Sequence, residues 1–185
     1  TFTIGEQIIA KYLWHKRINR LNGIIVSHPD SDHFNGLPFI IRQFTPNHLW
    51  VNRLESSSTT NNRNEYELVL HSARALKIPV SIPKQGENIF TNTPVRLEAI
   101  SQRAGTGSQL QQHSTNDESL VLRLSYGAQS FIFPSDIEKN GEASVIEQAS
   151  TLINANVLIA PHHGSSTSSS PKFLQAVSPD HIVIS

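Results

Sequence analysis

The chain contains no cysteine, so neither a disulfide framework nor a thiolate metal site is part of its architecture. It also lacks an excess of charge of either sign, with 15 Lys+Arg against 15 Asp+Glu. That balance argues against a dedicated basic nucleic-acid binder, which carries a clear cationic surplus. No apolar run approaches the roughly 20 residues that span a bilayer, and no basic-then-apolar leader opens the chain. A soluble piece is therefore expected. Charged residues at 16% and apolar ones at 37% both fall below the roughly 25% and 45–50% of an average soluble domain, and Ser, Thr, Asn and Gln fill the gap. What is present is a length of 185 residues, enough for one domain to bury a core unaided. Nine His, unevenly placed, are the second positive feature.

Apolar periodicity alternates between strand and helix patterns, which predicts an α/β layered fold. Ile8, Ile9, Tyr12 and Leu13 recur at helical spacing, so residues 6–17 read as a helix. Residues 23–27 form a short apolar run, read as a buried strand, followed by a helix around 35–44 and a strand at 48–52. A polar loop at 55–62 and a helix at 63–77 come next, then short strands near 80, 88–91 and 95–100, punctuated by Pro79, Pro83 and Pro94. Residues 102–118 lack periodicity and read as a mobile loop. Strands at 119–125 and 130–134 follow, joined by a turn with Tyr126 and Gly127, then a helix at 140–153, a strand at 156–160, a helix at 171–177 and a strand at 181–185. No linker divides the chain, so residues 1–185 are expected to form a single domain. Both ends fall inside patterned segments, as expected of a fragment of a larger protein.

The densest chemical signal is Ser27-His28-Pro29-Asp30-Ser31-Asp32-His33-Phe34-Asn35-Gly36-Leu37, with two His and two Asp in six residues, between a buried strand and a helix. Side chains two apart in such a turn can point into one crevice at a strand's carboxyl end, where open α/β sheets bind ligands. Imidazole and carboxylate together suit Zn, Mn or Fe. The plainer reading is a polar cap on the following helix, with Asp32 as the capping residue; but a cap needs one Asp, not four potential ligands. Ala160-Pro161-His162-His163-Gly164-Ser165 and Pro134-Ser135-Asp136 also follow apolar strands, and one crevice would gather all three sets. His15, His48, His71 and His181 have no partners nearby in sequence and read as structural or surface residues. Gly105–Ser108 lacks the ending of a phosphate loop, and no Gly-x-Ser-x-Gly elbow is present.

The order of these pieces resembles the metallo-β-lactamase superfamily, and more narrowly the C-terminal domain of ComEC-type DNA-internalisation competence proteins. The subfamily's motifs correspond to residues 27–37, to Ser119-Leu120-Val121-Leu122, to 135–138 with Ser135 in place of Gly, and to 161–165 followed by Thr167-Ser168. The resemblance implies an αββα sandwich, incomplete at both ends. It implies two divalent ions, Zn²⁺ or Mn²⁺, held by His28, Asp30, Asp32, His33, Asp136 and the His162–His163 pair, with His163 favoured as ligand and His162 facing the substrate. Asp30 stands where the superfamily has a second His, and a carboxylate there tilts preference from Zn towards Mn or Mg. The superfamily's middle His has no clear equivalent; His113, Asn116 and Asp117 are the candidates. The family's Asp-x-Gly, Asp-Gly-Gly and Gly-His-Pro segments are not in the chain.

The implied activity is that of a metal-dependent phosphodiesterase, a nuclease domain of a bacterial inner-membrane DNA-uptake protein that degrades the non-imported strand. Asp32 would hold the attacking water in line, and His162 would serve the leaving side. Its partners would be DNA, single-stranded or duplex, at the uptake channel, and neighbouring domains of the same membrane protein. The domain would face the periplasm or cell exterior. Two other readings fit the same residues: an esterase acting on a small phosphoester such as phosphorylcholine, and a non-catalytic DNA-path domain with a degenerate site.

Overall fold

A computed structural model describes residues 4–54, 62–90, 93–101 and 114–184. The chain divides into two compact units, Thr1–Ile82 and Pro83–Ser185. Helices and two sheets make the fold α/β, as the alternating pattern predicts.

The first unit opens with a π-helical segment, Gly5–Ala10, that continues into α1, Lys11–His15. Its parallel sheet runs β1 (Ile24–Val26), β2 (Leu49–Val51), β3 (Val80–Ser81), in that order. Between β1 and β2 lie α2 (Ser31–Phe34) and α3 (Leu37–Phe44), and between β2 and β3 lies α4 (Asn62–Ala75). Helical spacing fixes which faces are buried. Tyr66, Val69, Leu70 and Ala73 recur at i, i+3, i+4 and i+7 and are all fully buried, as are Ile41 and Leu49. Burial of one such large apolar side chain contributes about 1.5–3 kcal/mol.

In the second unit β4 (Val95–Ala99), β5 (Leu122–Tyr126) and β6 (Gln129–Phe133) form an antiparallel meander. β6 then pairs in parallel with β7 (Val157–Ile159), and β7 with β8 (His181–Val183). The parallel crossovers are α5 (Lys139–Gln148) and α6 (Pro171–Val177). Ile132 and Leu158 of the sheet pack with Val145, Phe173 and Val177 of these helices to make the core. Ser170 caps α6, its hydroxyl accepting the Phe173 N–H at 3.3 Å, and Pro171 takes the first helical position.

Four segments differ from the sequence expectation. The expected strand at 88–91 is reduced to one bridge, Asn88 to Glu98: Ile89 N–H still reaches Leu97 O at 2.7 Å, but the Asn88 side-chain oxygen takes the Leu97 N–H that would return the bond, and the Phe90 N–H as well. The strand expected from Ser119 begins only at Leu122, where both Ala99 and Phe133 stand opposite. The end of the expected 102–118 loop is a 3-10 turn, Asn116–Glu118, while residues 102–113 lie outside the described residues. The helix expected to reach 153 stops at Gln148, where Ala149 leaves helical geometry. The polar loop predicted at 55–62 falls mostly outside the described residues.

Candidate metal centre

The loop leaving β1 builds the first donor set. Ser27 Oγ lies 3.2 Å from His28 Nδ1 and 3.5 Å from His33 Nδ1, so one hydroxyl orients both imidazoles. The rings stand 4.2 Å apart, tilted by 52°. With Nδ1 on the serine side, each ring presents Nε2 to a carboxylate: His28 to Asp30 Oδ2 and His33 to Asp32 Oδ2, each at 3.6 Å. The set is graded in exposure, from a fully buried His28 side chain to an Asp32 that is 67% exposed. The capping alternative does not hold. Asp30, not Asp32, occupies the N-cap of α2, without a side-chain cap bond, and Gly36 occupies that of α3.

Glycine at position 36 has a steric reason. A Cβ there would stand 2.5 Å from Gly5 N, and one on Gly5 would stand 2.2 Å from Gly36 O. The N-terminal helix therefore crosses the donor turn at backbone contact. Beside this crossing, Ile4, Ile9, Asp32 and His33 line a cavity of about 310 Å³.

The second donor set follows β6 and β7, adjacent parallel strands whose carboxyl ends share one edge of their sheet. Asp136, buried, points Oδ2 at His163 Nε2 from 3.9 Å. His162 takes another partner: Glu138 Oε1 is 3.3 Å from its Nδ1, and Thr167 donates to the same Glu138 oxygen at 2.7 Å. The two histidines thus have different neighbours. His163 faces the donor carboxylate, and His162 is held by a carboxylate that leaves its Nε2 for other use.

Backbone strain marks this edge. Ser135 (φ 55°), His162 (47°), His163 (54°) and Gly164 (79°) all adopt left-handed conformation, at about 1–2 kcal/mol for each non-glycine residue. Such residues persist where surroundings over-determine them. Here His162 N–H donates to Ser135 O at 3.0 Å, and Ser168 Oγ donates to Pro161 O and Ser165 O at 2.8 and 3.0 Å. Ser135, which replaces the subfamily's Gly, thus sits where glycine would be unstrained.

Of the candidates for a middle ligand, His113 lies outside the described residues. Asp117 Oδ1 accepts the N–H groups of Glu138 and Gly141 at 2.9 and 2.8 Å, and Asn116 opens the 3-10 turn Asn116–Glu118. His48 is structural, bonded to Ser81 Oγ at 2.7 Å and stacked on Trp50, whereas His15, His71 and His181 are exposed. Sequence reading assigned no role to Ser27, Glu138 or Thr167. All three stand inside or beside the quoted motifs, but only their distances reveal what they hold.

The donor geometry fits divalent ions. Two ligands each about 2.0–2.2 Å from one ion stand roughly 3.4 Å apart at the tetrahedral angle and roughly 4.2 Å apart when opposed. The 3.6 and 3.9 Å separations fall in that window and are too long for hydrogen bonds.

The chain is 29% identical over 184 residues to ComE operon protein 3 of Bacillus subtilis (strain 168), covering 100% of this chain and 22% of that protein. It is 40% identical over 70 residues to competence protein ComA of Neisseria gonorrhoeae, covering 38% of this chain and 10% of that one. It therefore spans about a fifth or less of the length of these relatives. Among solved structures, CmlA, a diiron β-hydroxylase from Streptomyces venezuelae, superposes with a TM-score of 0.52 at 13% identity, over 90% of this chain and 36% of that one. A mutant of the same hydroxylase gives 0.57 at 15% identity over the same shares. At such identity the likeness concerns the fold alone, and a fold does not fix a reaction. The metallo-beta-lactamase superfamily profile, however, matches residues 2–185. With that match spanning both donor sets, the chain belongs to the metallo-β-lactamase superfamily, as a domain related to competence proteins.

Proposed function

We propose that this chain is a metal-dependent phosphodiesterase acting on DNA, with His28, Asp30, Asp32, His33, Asp136 and His163 as its metal ligands. The observation that carries the reading is the pair of imidazole–carboxylate couples at 3.6 Å keyed by one serine hydroxyl. Divalent ions, Zn²⁺ or Mn²⁺, supply Lewis acidity that activates water near neutral pH and offsets phosphate charge. The chain's own residues do the rest. Asp32, the most exposed carboxylate of its set, orients the attacking water and accepts its proton. Glu138 holds the Nδ1 side of His162, so the Nε2 side serves the leaving oxygen.

DNA as substrate draws support from the relatives, one named competence protein ComA and another ComE operon protein 3. In this reading the domain belongs to a longer bacterial membrane protein and acts outside the cytoplasm on DNA at its uptake channel. A small phosphoester is the second reading, favoured by the 310 Å³ cavity beside Asp32, a volume at the lower end of small-molecule pockets.

The test is hydrolysis of oligonucleotides and of a chromogenic phosphorylcholine ester with Mn²⁺ and with Zn²⁺. Asp32→Ala is expected to lower DNA hydrolysis at least 100-fold, and equal activity in both proteins overturns the proposal. His162→Ala should keep the bound metal and lose turnover, whereas His163→Ala should lose metal.

A further inference from the structure

The zero net charge of the chain conceals an uneven distribution. Four of its 15 Lys and Arg fall in residues 11–20, as Lys11, Lys16, Arg17 and Arg20. No Asp or Glu stands between Glu6 and Asp30. All four cations are exposed, and none enters an ion pair found among the described residues. They occupy α1 and the loop after it.

Two aromatic side chains are interleaved with them. Tyr12 is 59% and Trp14 46% exposed. Trp14 is seated against the buried Phe44, with ring centroids 5.8 Å apart, so it is a fixed plate. Lys16 Nζ lies 5.7 Å from the Tyr12 ring centre, bringing a cation beside an exposed aromatic face. Ile8, Lys11, Tyr12 and His15 share one side of the helix by i+3 and i+4 spacing, and all four are exposed.

We infer that this side of the N-terminal helix, with the loop to Arg20, is a binding strip for the backbone and bases of a single-stranded nucleic acid. Cations tracking phosphates, with aromatics on which unpaired bases stack, are the recurrent chemistry of sequence-tolerant single-strand binding. Exposed rings favour a single strand over duplex, whose bases are already stacked. The strip is continuous with the donor turn: the same helix contacts Gly36 through Gly5 and lines the Asp32–His33 cavity through Ile4 and Ile9. As a route to Asp32, the strip rests on the nuclease reading; as a binding surface, it stands without it.

The experiment measures fluorescence anisotropy of a labelled twelve-nucleotide oligothymidylate, in EDTA so that no cleavage occurs, across a salt series. For the unaltered chain, log K should fall steeply with log salt. In the combined Lys11→Gln, Lys16→Gln, Arg17→Gln, Arg20→Gln variant the slope should flatten by about 2.8, at about 0.7 per phosphate contact on single strands. Tyr12→Ala should weaken binding at least roughly fivefold, and Tyr12→Phe should restore it. Circular dichroism checks that each variant is folded.

Unchanged slope in the folded variant overturns the strip. So does tighter binding of a duplex, or of phosphatidylglycerol vesicles, at equal phosphate concentration. If the variants lose binding but the unaltered chain hydrolyses no DNA with either metal, the strip stands and the nuclease reading fails. If Asp32-dependent hydrolysis is present while the strip variants bind and cleave normally, the strip alone fails.

Discussion

Glu142 offers a test of how the second donor edge is held. It lies on α5 with its side chain fully buried, and its carboxylate accepts the Ser169 N–H and, at 2.9 Å, the Ser170 N–H. Those amides belong to the left-handed turn at Ser169 that leads into α6, a few residues after His162 and His163. Hydrogen bonds to a charged group contribute about 1.5–3 kcal/mol each. Removing the carboxylate also leaves two amide donors to find water in the space vacated. Glu142→Ala is therefore expected to cost about 3 kcal/mol, near the low end of two such bonds because water enters. Glu142→Gln keeps one acceptor and turns an amide N–H₂ towards the second donor, for about 1.5–2 kcal/mol. With a urea m-value of about 2 kcal/mol/M, the alanine variant should unfold at a midpoint about 1.5 M lower. Equilibrium urea unfolding followed by circular dichroism reads this directly. An alanine variant whose midpoint falls by less than about 0.3 M would refute the reasoning, since the two bonds would then do no more than solvent does.

Two further outcomes follow from single contacts. Asp117→Ala removes the acceptor for Glu138 and Gly141 N–H and should cost about 1–2 kcal/mol of stability, while Asp117→Asn should cost a few tenths. Metal stoichiometry by mass spectrometry should be unchanged in both, and a fall would make Asp117 a ligand instead. Burial pushes the Tyr66 phenol well above its ordinary value near 10, with the Arg53 charge opposing and the Glu67 charge adding. The fold thus favours the neutral phenol. Tyr66 should leave stability unaffected below pH 10 and reduce it above, by up to about 1.4 kcal/mol per pH unit. Tyr66→Phe should abolish that alkaline slope in urea unfolding at pH 7–11. At neutral pH it should cost about 1 kcal/mol, through loss of the bond to Arg53 O at 2.8 Å.

Much of the fold was legible because it is written in local periods. The apolar stripe of α3, the run at 24–26 and the Pro171 start of α6 each specify an element within a few residues. Legibility failed where a side chain took over a backbone group. Asn88 takes the Leu97 N–H from the strand ladder, and no pattern in residues 88–91 announces it. The Asp117 contacts at the start of α5 span 21 and 24 residues, and no local pattern announces them. Gly141 has its reason in the same contact, since a Cβ there would stand 2.9 Å from Asp117 Oδ1.

The candidate site divides in the same way. By itself the sequence determined the donor chemistry: which imidazoles and carboxylates exist, and that they follow strands, because donor type is composition and a strand's end is a local signal. Only tertiary structure decided how each donor is held. Ser27 serves two imidazoles, Glu138 rather than Asp136 stands beside His162 Nδ1, and four residues at the second edge accept left-handed backbone. Those outcomes depend on separations of a few ångströms, set by the turn's conformation for Ser27 and by packing of distant segments for Glu138. No spacing in sequence encodes them.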